Sequence, residues 1–229
     1  MSVRTGDHAA MPRAVLAASL AALVLAPALL ASTPPNKEQI HYTRADQAAA
    51  AAAVLRKADL GGTGWSGGRV KPEVTGSTSC PSYQPKQSDL VLTGAAETHF
   101  HQPGLDVRNI VQVLKTRSMV ARDWQRTVVD PRAFACIRHA ATTGLSANER
   151  LVSFRRIAFP PIATYARAYR AVVEVRGSVG TARVLLDLVL VGRGRAEVTL
   201  TIAAPTSVAD AVKRADVRYA KKIVARIRG

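Results

Sequence analysis

The sequence predicts an α+β fold in which an antiparallel β-sheet packs with N-terminal, middle and C-terminal helices. Two observations support this prediction. Four β-rich segments within residues 151–202 are joined by short connections, which pair neighbouring strands antiparallel. Strands and helices are also segregated along the chain instead of alternating, as they would in an α/β fold. With 229 residues, 48% of them hydrophobic, the chain can form a folded core, and nothing divides it internally.

The first 31 residues have the features of an export signal. Two arginines precede an uncharged apolar run over residues 14–30, and small residues follow it. Because the run is slightly shorter than the roughly 20 residues that span a bilayer, we expect cleavage, with an uncleaved anchor as the alternative. Residues 32–42 then form an extended linker, and residues 43–229 form a single α+β domain. These features predict a secreted or extracytoplasmic protein associated with the cell envelope.

Local patterns predict the elements of the N-terminal half. A helix begins after Thr43, a suitable N-cap residue, and ends before the glycine-rich stretch 61–64. Residues 66–88 are rich in turn-forming residues and predict a loop with one short strand near residues 69–74. Two strands with alternating or β-branched patterns follow, at residues 90–101, with a bulge at Gly94, and at residues 107–115.

The same patterns predict the remaining elements. Apolar residues at helical spacing indicate a helix over residues 118–129, and Asp130 followed by Pro131 begins a second helical segment. Four strands come next, at residues 151–159, 165–176, 182–191 and 197–202. The third of these is so apolar that we expect it to be central. The last helix starts at Pro205, with Thr206 or Ser207 as its N-cap residue.

The two cysteines most simply form one structural disulfide bond, Cys80–Cys136, in an exported chain. In the chain-entropy description, a loop of this length contributes about 4 kcal/mol to stability. A reactive redox pair is the alternative, but it would favour the C-x-x-C spacing or an activating base beside the thiol, and neither is present.

The run of a strand, a helix containing Ala121-Arg-Asp-Trp124, and a helix with Cys136 resembles a known family. Together with the upstream Cys80 and the terminal strands and helix, it is similar to secreted actinobacterial sensor-like domains of the PknH type. More loosely, it is similar to the PsbP/Mog1-like α/β/α sandwich. The resemblance covers residues 44–228 as a topology. It implies a domain that binds ligands rather than one that catalyses. The sequence departs from the PknH-type domains in that its two cysteines can form only one disulfide bond, where those domains have two.

His99 and His101 form the clearest candidate for a metal-binding site in the sequence. On a strand, residues two apart point to the same face, so the two imidazoles could hold one metal ion. A third ligand would be needed, and His41, His139, Asp106 or Glu97 could supply it. The alternative is a solvated polar face beside a turn. Common catalytic motifs are absent from the sequence, including G-x-S-x-G and the phosphate-binding loops.

The positive charge is unevenly distributed along the chain. The net charge is +16; loss of residues 1–31 would leave +15, of which residues 105–229 hold +14. A cationic face on the C-terminal strands would gather anionic partners. The residues concerned are Arg155, Arg156, Arg167, Tyr169, Arg170, Arg183, Arg193 and Arg195. For an exported protein the partners would be anionic envelope polymers or lipid headgroups. An arginine-rich surface that reflects composition alone is the alternative.

Three function classes remain open at this point. We favour an exported, non-enzymatic domain that binds a ligand or a cell-envelope polymer. The second class is a structural or interaction protein of the envelope, and the third is a metal-dependent enzyme that uses His99 and His101. We expect a monomer with no cofactor and no nucleic-acid partner, since only 5% of the residues are aromatic and could stack on bases.

Overall fold

The computed structural model describes residues 36–74, 80–178 and 180–227, so the predicted signal segment 1–31 lies outside the described residues. Within them, eight strands form one sheet. They are β1 Gln39–Ile40, β2 Ser66–Val70, β3 Val91–Gln102, β4 Leu105–Leu114, β5 Glu149–Ile157, β6 Tyr165–Gly177, β7 Gly180–Arg193 and β8 Ala196–Pro205. Their order across the sheet is β1-β3-β4-β8-β7-β6-β5, and β2 also pairs with β3.

The sheet is almost entirely antiparallel. Only β1 runs parallel to its neighbour β3, while all the other strand pairs are antiparallel. The predicted α+β class is therefore confirmed, and so is the central place of β7, which lies between β6 and β8. A shift in register between Leu92 and Gly94 confirms the bulge expected in β3. The strand β1 was not expected, because it lies within the predicted linker 32–42.

Five α-helices are present in the described part of the chain. They are α1 Arg44–Ala53, α2 Lys57–Leu60, α3 Arg117–Trp124, α4 Pro131–Thr143 and α5 Ala209–Arg226. A π-helical turn, Gln125–Val129, continues α3, and a 3-10 turn, Thr206–Val208, leads into α5. None of the described helices has the length and apolar character needed to cross a membrane.

Local chemistry explains where these helices begin. The Thr43 hydroxyl accepts a hydrogen bond from the Asp46 N–H, and the Asp130 carboxylate accepts one from the Arg132 N–H, as their N-cap positions predict. The prediction for α5 was wrong, because neither Thr206 nor Ser207 caps it with a side chain. The 3-10 turn takes the place of that cap.

Helices cover both faces of the sheet. On one face, Val111 belongs to the large apolar cluster that includes Val212, Tyr219 and Ile223 of α5 and Ala50 of α1. On the opposite face of the same strand, Leu114 packs in a second cluster with Val120 of α3. Because successive side chains of a strand alternate between faces, these two clusters lie on opposite sides of the sheet. We call them the α1/α5 face and the α3/α4 face.

The disulfide bond joins Cys80 to Cys136, with a Cα–Cα distance of 5.4 Å, and the described residues include no free cysteine. It fixes the segment after residue 80 to α4. The Tyr83 hydroxyl adds a hydrogen bond to the carbonyl oxygen of Arg126, at 2.6 Å. This second contact attaches the same segment to the π-helical turn. The loop therefore forms a fixed rim of the α3/α4 face.

Candidate functional site

Two of the residues predicted to form a cationic surface are buried. Arg170 is only 9% exposed, and its guanidinium makes two hydrogen bonds of 2.6 Å to the carboxylate of Asp187. Tyr169 is fully buried, with its ring stacked on Phe154 at 5.8 Å. The prediction assumed that one face of the C-terminal strands is open to solvent. It was wrong for these two residues because α5 covers one face and α4 covers part of the other.

The remaining predicted residues differ in their availability. Arg195 forms an ion pair of 2.6 Å with Asp46, and Arg193 donates to the carbonyl oxygen of Val224 at 3.0 Å. Arg167 is half-buried. Exposed guanidinium groups remain at Arg155, Arg156 and Arg183, of which the first two lie on β5, the outermost strand of the sheet on that side.

His99 and His101 lie side by side on β3, as the alternation predicts. Their ring centroids are 5.9 Å apart, and His99 Nε2 is 2.6 Å from a carboxylate oxygen of Asp106. Glu97, another proposed ligand, is instead buried in contact with the guanidinium of Arg108. Among the described residues, no group of three His, Cys, Asp or Glu side chains is arranged to hold a metal ion.

A cavity of about 230 Å³ opens on the α3/α4 face, and it is lined by acidic residues rather than by the predicted arginines or histidines. Its floor is formed by sheet residues, with Gln112 of β4 directly opposite Glu197 of β8. Asp123 and Trp124 of α3 form the wall above the sheet, and Glu38 completes the opposite side. Three carboxyl groups from distant parts of the chain therefore converge on one cavity. We call it the carboxyl cavity.

The segment that carries Glu38 is held in place by a set of hydrogen bonds. The Asn36 side chain donates to the carbonyl oxygen of Pro85 at 2.8 Å and accepts from the Gln87 N–H at 2.7 Å. The Gln39 N–H then donates to the carbonyl oxygen of Leu90 as β1 begins. These bonds fix the backbone on both sides of Glu38, so its carboxyl group is a defined part of the cavity.

The position of Asp123 depends on the π-helical turn that follows it. The Thr127 hydroxyl donates to the Asp123 carbonyl oxygen at 2.9 Å and lies 3.5 Å from its carboxylate. The Gln87 amide lies 3.4 Å from the other carboxylate oxygen. A π-helical turn inserts an extra residue into a helix, and such turns are often found at functional sites. Here the turn brings Thr127 and Val128 to the wall of the cavity.

Burial raises the pKa values of all three carboxyl groups. Desolvation, followed by the charge of Asp123, raises the pKa of Glu38 to about 7. Desolvation also raises the pKa of Asp123, although hydrogen bonds and the nearby Arg126 oppose it. Desolvation, followed by the charge of Asp123, raises the pKa of Glu197 well above its usual range. The cavity therefore retains protons at a pH where exposed carboxyl groups have lost theirs.

Asp123 and Glu197 both line the cavity, and each carboxyl group affects the pKa of the other. Such a pair must hold a proton, because two bare carboxylates repel each other. The Glu197 carboxyl oxygen Oε1 is buried without a hydrogen-bond partner among the described residues. None of the three carboxyl groups has an ion-pair partner in the described part of the chain. The carboxyl cavity therefore contains a buried hydrogen-bond acceptor, Glu197 Oε1, that has no donor among the described residues.

Sequence reasoning missed the three carboxyl groups. Glu38 was part of a predicted linker, Asp123 of an amphipathic helix and Glu197 of a strand, with no motif connecting them. The strand that carries Glu197 gave no signal either, because Glu197 takes a polar position of its alternating pattern, on the same face as Thr199 and Thr201.

No protein-family profile and no curated protein matches the chain. The solved structures that are distantly similar to the chain include two described here. PA94 of Pseudomonas aeruginosa, a protein of unknown function, has 15% identity and a TM-score of 0.28, over 53% of this chain and 78% of that one. The Ran-binding protein Mog1p of Saccharomyces cerevisiae has 12% identity and a TM-score of 0.19, over 57% of this chain and 86% of that one. Likenesses this distant assign no function, and the resemblance to PknH-type domains stays a prediction.

Proposed function

We propose that the protein is an exported ligand-binding domain whose site is the carboxyl cavity, and that its ligand presents a small organic cation. The convergence of Glu38, Asp123 and Glu197 on one cavity, where none of them forms an ion pair with a described residue, carries this proposal. At about 230 Å³ the cavity is smaller than the roughly 300–1,000 Å³ of typical small-molecule sites. It therefore suits a small molecule or the end group of a larger one.

An ammonium or guanidinium group fits this site better than a metal ion does. The carboxyl groups surround the cavity, and no three of the described acidic, histidine or cysteine side chains gather around one point. Guanidinium and ammonium groups donate several hydrogen bonds in different directions, so they can reach groups that are spread apart. Trp124 also lines the cavity, and an aromatic ring favours a cation near its face.

Binding of a cation should release a proton from the cavity. The pKa of Glu38 is raised to about 7 and those of Asp123 and Glu197 are also raised, and a bound cation would favour the ionised forms of all three groups. Lys37 and Arg126 are the basic residues near these groups, and neither forms an ion pair with them. Affinity should therefore rise between pH 6 and pH 8, as the protons that compete with the ligand are removed.

The test is calorimetric titration with guanidinium chloride at millimolar concentration, with urea as the neutral molecule of the same shape. We expect saturable binding of guanidinium alone, with proton release and tighter binding at pH 8 than at pH 6. Glu38→Gln and Asp123→Asn should weaken it by roughly tenfold or more each. Asp210→Asn removes the same charge from an exposed position of α5 and should leave binding unchanged. Equal binding of urea, or binding that survives both cavity substitutions, would contradict the proposal.

A second candidate function rests on the free edge of the sheet at β5. Arg155 and Arg156 are exposed on β5, and Arg183 is exposed on β7, two strands further into the sheet, where it lies 3.6 Å from Glu174. An open basic edge of this kind would attract an anionic envelope polymer. Retention on immobilised poly(glycerol phosphate) should fall steeply with salt, and the triple Arg→Gln variant at these positions should elute earlier. Substitution of Arg117, Lys213 and Lys221, also exposed, is the charge-matched control, and equal elution of both variants would exclude a specific edge.

A further inference from the structure

A second cavity, of about 470 Å³, lies on the α1/α5 face beside the start of α5. Its walls are mainly carbon, contributed by Trp65, Leu105, Ile202, Val212 and Tyr219. This volume falls within the range of about 300–1,000 Å³ found for small-molecule sites. The cavity is separate from the carboxyl cavity, which opens on the other face of the sheet.

The polar groups of the two aromatic residues that line this cavity already have hydrogen-bond partners. The Trp65 indole N–H donates to the carbonyl oxygen of Gly61 at 2.9 Å. The Tyr219 hydroxyl donates to the carbonyl oxygen of Leu60 at 3.0 Å and accepts from the Arg218 guanidinium at 3.2 Å. Both rings therefore present carbon to the cavity, where burial of an apolar chain is favourable. Val208, 39% exposed, extends this apolar surface at the cavity's border.

The charged groups of the cavity are all of one sign. Arg214 and Arg218, one turn apart on α5, line it, and none of the described acidic side chains does. Neither arginine forms an ion pair within the described residues. The Arg218 guanidinium lies over the Tyr219 ring, with 4.9 Å between its central carbon and the ring centroid, so it is held at the edge of the apolar wall. An apolar cavity with two unpaired cations at its border is complementary to an anionic amphiphile.

We propose that this cavity binds a single-chain anionic amphiphile, with the acyl chain against Trp65 and Tyr219 and the carboxylate at Arg214 and Arg218. A fatty acid has both required parts, a flexible apolar chain and one anionic head that a guanidinium can bind through two hydrogen bonds. The proposal is independent of the carboxyl cavity, whose ligand has the opposite charge.

The test uses the intrinsic fluorescence of Trp65. The chain has two tryptophans, and Trp124 lies at the other cavity, so a Trp124→Phe background leaves Trp65 as the only reporter. Laurate, kept below its critical micelle concentration, should change this fluorescence saturably. Dodecyltrimethylammonium has the same chain length with a cationic head, and we expect no saturable change with it. Ala211→Trp read by calorimetry should block laurate binding by filling the border of the cavity.

The two arginines are tested by substitution in the same background. Arg214→Gln combined with Arg218→Gln should weaken laurate binding by roughly tenfold or more, because charge-assisted hydrogen bonds are lost. Lys213→Gln combined with Lys221→Gln removes the same charge from exposed positions of the same helix and should leave affinity unchanged. Equal binding of the cationic amphiphile, no saturable response to laurate, or equal losses in both double variants would overturn the proposal.

Discussion

Asp216 is a residue whose charge state depends strongly on the fold. It is 1% exposed, and burial beside Asp187 raises its pKa to about 9. Neither of its carboxyl oxygens has a donor partner among the described residues, which is consistent with a protonated carboxyl that donates to Asp187. Asp187 in turn binds the guanidinium of Arg170 through two hydrogen bonds. The buried group is thus an ion pair with one neutral acid attached.

Substitutions at the two aspartates should have very different effects on stability. Asp216→Asn keeps a neutral donor beside Asp187, so we expect the free energy of unfolding at pH 7 to change by less than about 1 kcal/mol. Asp187→Asn leaves Arg170 buried without its counter-ion, and we expect a loss of about 3–5 kcal/mol. Urea unfolding followed by circular dichroism measures both. Similar losses in the two variants would mean that Asp216 is ionised in the folded protein.

At the scale of elements, the bulge in β3 allows α1 to lie close to the sheet. A Cβ atom placed on Gly94 would lie 2.3 Å from the carbonyl oxygen of Asp46, a backbone atom of α1 that cannot turn away. Alongside, the Gln47 side chain accepts a hydrogen bond from the Ala95 N–H at 3.0 Å. Gly94 is therefore required because α1 and β3 lie too close together for a side chain at this position.

Gly94→Ala should destabilise the protein by about 1–3 kcal/mol or more, because the helix must move away from the bulge. Gly68→Ala is the matched control: it lies on β2, next to the same strand, and an added Cβ there meets no atom within 4 Å. We expect Gly68→Ala to be neutral or slightly stabilising. Thermal and urea unfolding of the two variants provide the comparison, and equal stability would refute the close approach of α1.

Elements with strong local patterns were predicted well from the sequence, and elements that depend on distant partners were not. The long strands β6, β7 and β8 and the Asp130 cap carry their own signals. Strand β1 has two residues and exists through pairing with β3, which lies about fifty residues further along the chain. The π-helical turn also has no local signature, so the helix over residues 118–129 was predicted as regular. Its irregular end forms part of the carboxyl cavity.

The candidate site could not be predicted because its parts come together only in the folded molecule. Glu38, Asp123 and Glu197 are far apart in the sequence and belong to different kinds of element. The net charge was also a poor guide to the interior: the C-terminal half is strongly basic, yet its most buried ionisable groups include the acids Asp187 and Asp216. Some of the arginines, such as Arg170 and Arg195, form ion pairs with acidic residues. The net charge of this half therefore describes its surface, and it does not predict which ionisable groups are buried.

The whole molecule contains two opposed sets of carboxyl groups, and together they determine how stability depends on pH. Raised pKa values belong to Glu38, Asp123, Glu197 and Asp216. These groups hold protons in the folded protein that the unfolded chain releases above about pH 4, so their contribution is lost as pH rises. Lowered pKa values belong to acids that bind arginine, among them Asp46, Asp59 and Asp89. Their contribution is lost as pH falls below about 4.

Stability should therefore be greatest near pH 5 and decline toward pH 9, as the raised carboxyl groups are forced to ionise in the interior. The measurement is the free energy of unfolding in urea at intervals from pH 4 to pH 9. Glu197→Gln combined with Asp216→Asn should flatten the alkaline decline, whereas Asp210→Asn, on the exposed surface, should keep it. The comparison with the double variant separates this effect from the relief of charge repulsion that a basic protein gains at high pH. A double variant with the same slope as the parent would show that these two buried acids ionise as freely as exposed ones.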